Sequence, residues 1–194
     1  HPKNVYNLGV LEQSMISFAA GLSRGGITPF VHTISTFLLE RAYEQIKLDL
    51  SYNQNKIIMV SANGPYDYNK LGPTHHCSSD VPLIELLESI NIFLPGRVDD
   101  VQKCIDEAIN SPNSSYIRLN SQKSSLQEIR PNIIYSKGLN SKSLIVFIGE
   151  SINNSNINIL NLEEDWIYIF DLDSLNKKNL HQYSQIVFWE PYSR

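Results

Sequence analysis

Two cysteines, Cys77 and Cys104, are all that this 194-residue chain contains. They stand too far apart in sequence for a zinc knuckle or a redox pair, so reduced thiols and a cytoplasmic location are expected. No apolar stretch reaches the roughly eighteen residues of a membrane span, and no signal peptide opens the sequence; a membrane is not expected as partner. A basic run is missing as well. Sixteen Lys and Arg face twenty Asp and Glu, for a net charge of -4, and without a basic patch a row of phosphates is not neutralised. Nucleic acid is therefore not expected either.

What is present is globular composition, 42% hydrophobic against 19% charged, which supplies apolar surface for a core. Apolar runs of strand length alternate with segments of helical period, the pattern of an α/β fold with a largely parallel sheet. Strands are predicted at Val5 to Leu8, Pro29 to Val31, Lys56 to Val60, Asn91 to Leu94 and Tyr116 to Leu119. Helices are predicted at Leu11 to Ser23, with Leu11, Met15, Phe18, Ala19 and Leu22 as the apolar stripe, then from Phe37 through Ile46, Val81 to Ser89, and Val98 to Ile109. Gly25-Gly26 stops the first helix. The connection from Ala62 to Ser79 has little apolar period, and loops of that length are usually functional or disordered.

From Asn120 to Lys142 the composition turns to Ser, Asn, Gln and Lys, as expected of a surface linker. Beyond it, Ser143 to Ile148, Ile157 to Leu160, Trp166 to Leu172 and Gln185 to Glu190 read as strands, with a short helix at Asp173 to Leu180. The division expected is a first domain over 1–122, a linker over 123–142 and a smaller, incomplete α/β unit over 143–194.

One turn stands out. Asn7-Leu8-Gly9-Val10-Leu11-Glu12-Gln13 leaves a predicted strand and enters a predicted helix. In order after it come Pro29-Phe30-Val31, Thr33 to Phe37, Arg41-Ala42-Tyr43-Glu44-Gln45-Ile46, Gly72-Pro73-Thr74-His75-His76, Leu94-Pro95, and Tyr116-Ile117-Arg118-Leu119. Each piece alone is weak, but the ordered set resembles the transketolase family over about residues 5 to 119. The resemblance implies a three-layer α/β sandwich with a mostly parallel sheet, the thiamine-diphosphate-binding fold in its pyrimidine-domain form, followed by part of a transketolase C-terminal domain.

The family's roles fall on this chain residue by residue. A glutamate at the position of Glu12 hydrogen-bonds a ring nitrogen of the aminopyrimidine of thiamine diphosphate. A carboxyl group sharing a proton there favours the tautomer whose own amino group acts as base, and it needs a short hydrogen bond in a site with little water. On position alone, Glu12 reads more readily as a first-turn glutamate complementing the helix dipole; the surrounding motifs reverse that reading. Phe37 falls where the family packs a ring against the pyrimidine, against the alternative of a core phenylalanine. Ile34 sits where transketolases often carry another aromatic of that cluster, which implies a looser cofactor pocket. His75 matches a histidine that faces substrate and exchanges protons near neutral pH, against the alternative of a surface-loop histidine. His76 and Cys77 beside it do not make a metal site, because no second ligand cluster stands at usable spacing.

Departures bear on substrate. Asn63, Leu71 and Ser121 stand where many transketolases place a histidine, an aspartate and a phosphate-binding arginine. Arg118 is nearby but at a different place in its strand. Without a fixed guanidinium, bidentate recognition of phosphate is lost, which argues against an ordinary pentose-phosphate substrate.

The Gly-Asp-Gly turn that holds the diphosphate and its metal in this family is absent from the sequence. Mg2+ (or Ca2+), bound through oxygen ligands, is expected from a partner chain. The implied assembly is the C-terminal subunit of a split transketolase, joined to an N-terminal subunit in a homodimer or heterotetramer. The same domain also occurs in the beta subunit of 2-oxoacid dehydrogenases, although Pro73-Thr74-His75 and Arg41-Ala42-Tyr43-Glu44-Gln45 favour transketolase. A synthase of deoxyxylulose phosphate suits the Phe37 to Arg41 spacing less. A non-catalytic assembly module that kept the fold is the reading from another class, favoured by Ile34, Asn63, Leu71 and Ser121.

Overall fold

A computed structural model of the chain describes residues 2–64, 66–121, 129–136, 141–153 and 162–189. Two four-stranded sheets organise it. The first has the order β1-β2-β4-β3 with every pair parallel: β1 (Phe30–Ile34), β2 (Ile58–Ala62), β3 (Ile90–Phe93) and β4 (Ser114–Arg118). Between the strands run α1 (Glu12–Arg24) ahead of β1, a helical stretch over 36–52 before β2, α3 (Asp80–Glu85) before β3 and α4 (Val98–Asn110) before β4. The stretch over 36–52 is α-helical only at α2 (Tyr43–Gln45). It is flanked by π-helical turns at Thr36–Glu40 and Ile46–Tyr52, where Arg41 N donates to Thr36 O and Asn53 N to Leu48 O. Such π-turns are rare and often lie at functional sites.

Alternation along the strands makes the layers. Ile57 and Met59 face a core formed with Ile16, Ala19 and Ala20 of α1, Leu38, Leu39 and Ile46 of the 36–52 stretch, and Ile84 of α3. Ile58 and Ile117 face the opposite way, onto Cys104 and Ala108 of α4. That period of two across a sheet buried on both faces is what a three-layer sandwich requires. Leu38, Leu39 and Ile46 are fully buried, each contributing about 1.5–3 kcal/mol.

The second sheet has the order β5-β7-β6-β8, with β5 (Ile134–Tyr135) antiparallel to β7 (Asp165–Ile169), and β6 (Ser143–Ile148) parallel both to β7 and to β8 (Gln185–Trp189). α5 (Asp173–Asn176) follows β7. Both hydrophobic clusters continue from the first sheet into this one: Leu144, Val146 and Ile167 join the first cluster, Phe147, Trp166 and Tyr168 the second. At the junction Leu94 N donates to Phe170 O, and Tyr168 Oη accepts from Gly96 N and donates to Asp100 Oδ2.

Three sequence-based expectations differ from what folds. Val5 to Leu8 is not a strand; Val5 and Tyr6 are exposed, and among the described residues no sheet strand pairs with them. A short apolar run becomes a strand only where another strand accepts its backbone hydrogen bonds. The buried face of α1 is Glu12, Ile16, Ala19 and Ala20, while Leu11 and Phe18 are exposed. The small alanines let the helix sit close on the sheet, so the burial stripe is rotated from the one that bulk alone suggests. Ile134–Tyr135, inside the stretch read as linker, pairs with β7. The strand expected at Ile157 to Leu160 and much of the expected linker lie outside the described residues. Gly25-Gly26 does end α1: Gly26 takes a φ of +84° and its N–H donates to Ser23 O, while Ile27 N donates to Leu22 O, the Schellman arrangement.

Candidate active site at the carboxyl end of the parallel sheet

The chain enters α1 through a tight turn. Asn7 Oδ1 accepts from Gly9 N at 2.8 Å, and Gly9 adopts a φ of +77°, which favours glycine. Glu12 is then the first residue of α1, yet its side chain does not reach for water. It is 6% exposed, and Oε2 accepts from Arg41 Nη1 at 2.8 Å. A first-turn carboxylate gains from the helix dipole in any case; here it is also buried and paired across the domain.

β1 ends at Ile34, opposite Ala62 of β2, and the chain turns directly into the π-turn that carries Phe37. Arg41 lies four residues on, and its Cζ stands 4.2 Å from the centroid of the Phe37 ring, a cation–π distance. The guanidinium thus links Glu12 to one face of Phe37. His75 meets the same ring edge-on, with centroids 5.3 Å apart and planes at 70°, and meets Tyr68 at 5.8 Å. Such edge-to-face pairs contribute about 0.5–1.5 kcal/mol beyond area burial.

Short local bonds shape the loop that brings His75 there. Gly72 has a φ of +75°, His75 N donates to Gly72 O, and Thr74 Oγ1 lies 2.9 Å from His75 Nδ1. Thr36 Oγ1 donates to His76 O at 3.1 Å, and Ser79 Oγ donates to Glu40 Oε1 at 2.6 Å, so the loop rests on the start of the 36–52 stretch. At the other end, Asp67 Oδ2 accepts from Gly64 N and from Ser121 N, tying the exit of β2 to the exit of β4. Carboxyl ends of parallel strands are where α/β sheets bind ligands.

Below this rim lies a buried polar network. Arg118 Nη1 donates to both oxygens of Asp80 at 3.1 Å each, Tyr116 Oη donates to Asp80 Oδ2 at 2.8 Å, and Ser61 Oγ stands 3.0 Å from that hydroxyl. Burial alone would lower the Arg118 guanidinium pKa, but the Asp80 carboxylate outweighs it and holds the group above its usual range. Burial, then the Asp80 charge, pushes the Tyr116 phenol well up. Burial, with Asp80 and Glu40 adding to it, raises the Cys77 thiol to about 12. Cys77 stays protonated and is no nucleophile.

Of the residues singled out in the sequence, Glu12, Phe37 and His75 are thus gathered at one rim, joined through Arg41. Ile34 closes β1 three residues before Phe37 and is half-buried. Asn63 ends β2 with a left-handed φ of 67°, Leu71 is exposed, and the Ser121 backbone serves Asp67. Arg118 lies in the core, 2% exposed, on Asp80. Sequence reasoning places Arg41 in a motif without giving it a task; its four-residue spacing from Phe37 on a helix is the available signal. Asp80 carries no local mark in the sequence at all.

An aminopyrimidine fits these groups: a water-poor carboxylate to share a proton with a ring nitrogen, and an aromatic ring to pack on. Since Arg41 covers one face of Phe37, packing falls to the other face or to Arg41 itself. Among the described residues, no group of three or more His, Cys, Asp or Glu could hold a metal ion.

Comparison with known proteins gives the family and the fold. The family model described as transketolase, pyrimidine binding domain, matches residues 1–126. A subunit of the apulose-4-phosphate transketolase of Actinobacillus succinogenes is 34% identical over 122 residues, which are 63% of this chain and 39% of that protein. The 1-deoxy-D-xylulose-5-phosphate synthase of Chlorobaculum tepidum is 31% identical over 108 residues, covering 56% of this chain and 17% of that protein. Among solved structures, a split gene transketolase in an inactive beta4 tetramer superposes with a TM-score of 0.75 at 20% identity, covering 96% of this chain and 65% of that one. The last likeness is one of fold. The chain spans about two fifths of the length of the Actinobacillus succinogenes protein.

Proposed function

The chain belongs to the transketolase pyrimidine-binding domain family, and from that membership we propose that it serves as the C-terminal, pyrimidine-binding subunit of a split transketolase-like enzyme. The activity is thiamine-diphosphate-dependent transfer of a ketol unit between sugars or related carbonyl compounds. The observation that carries the reading is Glu12, a carboxylate withdrawn from water at the first turn of α1 and held by Arg41, whose guanidinium stands over the Phe37 ring that His75 meets edge-on.

Each group has a task in this reading. Thiamine diphosphate, when bound, would supply nucleophilic carbon chemistry at a ketose carbonyl. Glu12 holds a proton between its carboxylate and a pyrimidine nitrogen, and burial strengthens that hydrogen bond by keeping water from competing. Arg41 fixes Glu12 in one orientation. Phe37 packs against the heterocycle. His75, at the open rim, donates or takes a proton at substrate oxygens.

The diphosphate and a divalent metal, Mg2+ or Ca2+, need a second half-site. We assign it to an N-terminal transketolase-like subunit, giving a homodimer of heterodimers or a related assembly in the cytoplasm. Support comes from the exposed apolar residues beside Glu12: Val10, Leu11 and Phe18 face solvent, as a surface awaiting a partner does. The division into a pyrimidine-binding domain over 1–122, a linker over 123–142 and a partial C-terminal-like domain over 143–194 belongs to the same proposal.

The test is reconstitution. Mixed with an N-terminal subunit, thiamine diphosphate and Mg2+, the chain is expected to bind the cofactor by calorimetry and to cleave a ketose donor. Pyruvate decarboxylation in place of ketose cleavage would instead identify a 2-oxoacid dehydrogenase beta subunit. Absence of cofactor binding in every mixture would leave a non-catalytic assembly module.

A further inference from the structure

The loop that carries His75 is tied down at three points that differ in kind. At His76 a backbone carbonyl accepts from Thr36, and at Ser79 a hydroxyl donates to Glu40. Both bonds are made to the 36–52 stretch, and Glu40 and Ser79 are accessible to water. At Asp80, five residues beyond His75, the anchor is a carboxylate 1% exposed that accepts from Arg118 on both oxygens, from Tyr116 Oη and from Val81 N. Withdrawing two charges from water costs more than a well-packed apolar pair of the same volume would. Stability therefore does not account for the pair. What supplies direction is the number of donors closing on one carboxylate from different elements: Arg118 Nη1 between its two oxygens, Tyr116 Oη on one and Val81 N on the other.

A second observation comes from the other sheet. After β6 the chain turns through Gly149–Asn153, and Glu150 in that turn is buried. The turn is pressed onto the exit of β3: a Cβ on Gly149 would stand 2.7 Å from Leu94 O, and a Cβ on Gly96 would collide with Gly149 O. β3 pairs with β4 up to Phe93 opposite Ile117, one residue short of Arg118. The turn thus lies beside the strand end that carries Arg118, and among the charges that raise the guanidinium's pKa Glu150 comes after Asp80 and Tyr116.

We propose that Asp80 and Arg118, backed by Glu150 of the second sheet, form a positioning pair that sets where the His75 loop leaves the core, and hence where the His75 ring stands against Phe37. The second sheet then takes part in arranging the rim without touching it. The catalytic meaning of this placement rests on the functional reading above; the placement itself does not.

Isotope-labelled full-length chain, without partner or cofactor, gives the test through nuclear Overhauser contacts between the His75 and Phe37 rings. Asp80→Asn is expected to abolish these contacts. Glu150→Gln, which keeps the shape of the side chain, is expected to weaken them at least twofold, and it decides the matter should Asp80→Asn not fold. Val146→Ala, a core truncation in the second sheet that changes no charge and no hydrogen bond, serves as control: it is expected to lower the melting temperature and keep the contacts. Contacts intact in Asp80→Asn and Glu150→Gln, or lost equally in Val146→Ala, overturn the proposal. In the reconstituted enzyme Glu150→Gln is expected to lower kcat about tenfold with thiamine-diphosphate affinity unchanged, because Glu12 and Phe37 are untouched. A native mixture without ketol transfer would sink the functional reading and leave the ring-contact result standing.

Discussion

Two arginine–carboxylate pairs lie within one domain, one at the rim of the parallel sheet and one beneath it. Arg41 meets Glu12 through a single bond of 2.8 Å, with the arginine side chain 37% exposed and the glutamate 8%. Arg118 meets Asp80 through two bonds of 3.1 Å, with side chains 2% and 1% exposed. The chemistry is the same and the water is not. At the rim the guanidinium keeps part of its hydration and takes only Oε2, so Arg41 can hold Glu12 while Oε1 is left to another partner. In the core neither ion has an alternative partner in solvent, so the pair is fixed and can hold other parts in place.

The largest consequence is for stability. Arg118→Met leaves Asp80 buried without its cation, and the expected loss is about 3–5 kcal/mol, read as a shift of the urea midpoint. Arg41→Met removes a partly hydrated partner from a buried Glu12 that lies at the rim, and a smaller loss of about 1–1.5 kcal/mol is expected. Equal losses would break the comparison and place both pairs in the same structural role.

Function is expected to rank the pairs the other way. Glu12→Gln keeps shape and burial but removes the charge that shares a proton, and in the reconstituted enzyme kcat is expected to fall about 100-fold or more. Its urea midpoint should stay close to the native one. A Glu12→Gln enzyme of native activity would show that the rim carboxylate serves only the helix.

Tyr116→Phe sharpens the description of the core pair. It deletes the hydroxyl that donates to Asp80 and lies against Ser61, while Arg118 stays in place. A hydrogen bond to a charged group contributes about 2 kcal/mol, so the cost should fall between those of the two arginine substitutions. Circular dichroism melts of the three variants, run together, give the order directly.

How much of this could be read in the sequence depends on how local the cause is. β6 was legible residue by residue, and β2, β3 and β4 within two residues, because each centres on adjacent apolar residues. α4 was legible because Val98 to Ile109 repeats with helical period. Glu12, Phe37 and His75 were legible as motif positions in one order along the chain. The pairs Arg41–Glu12 and Arg118–Asp80 were not. They join residues 29 and 38 positions apart, and no spacing rule reaches that far. The exposure of Val5 and Tyr6 was hidden for the opposite reason: their composition is that of a strand, and only the lack of a pairing strand decides otherwise.

At the weak end of the same scale stands a contact of like charge between the two sheets' surroundings. Asp171 follows β7 and Glu107 lies on α4; burial raises the pKa of both carboxyls, and the Asp171 charge raises that of Glu107 further. A carboxyl whose folded pKa lies above its unfolded value favours the folded state when protonated. Its contribution is complete below the ordinary value of 3.8 for Asp171 and is lost as pH rises through the folded pKa. At pH 7 both groups are therefore expected to be charged and mildly unfavourable. Asp171→Asn, which can still accept from Asp173 N as Asp171 Oδ1 does at 3.0 Å, should raise stability at pH 7 by about 0.5 kcal/mol. The gain should shrink as pH falls and vanish near the ordinary aspartate range. Melting curves at pH 7 and pH 3.5 check it, and a variant less stable than native at pH 7 would mean that the Asp171 carboxylate is held by its amide donors more strongly than Glu107 repels it.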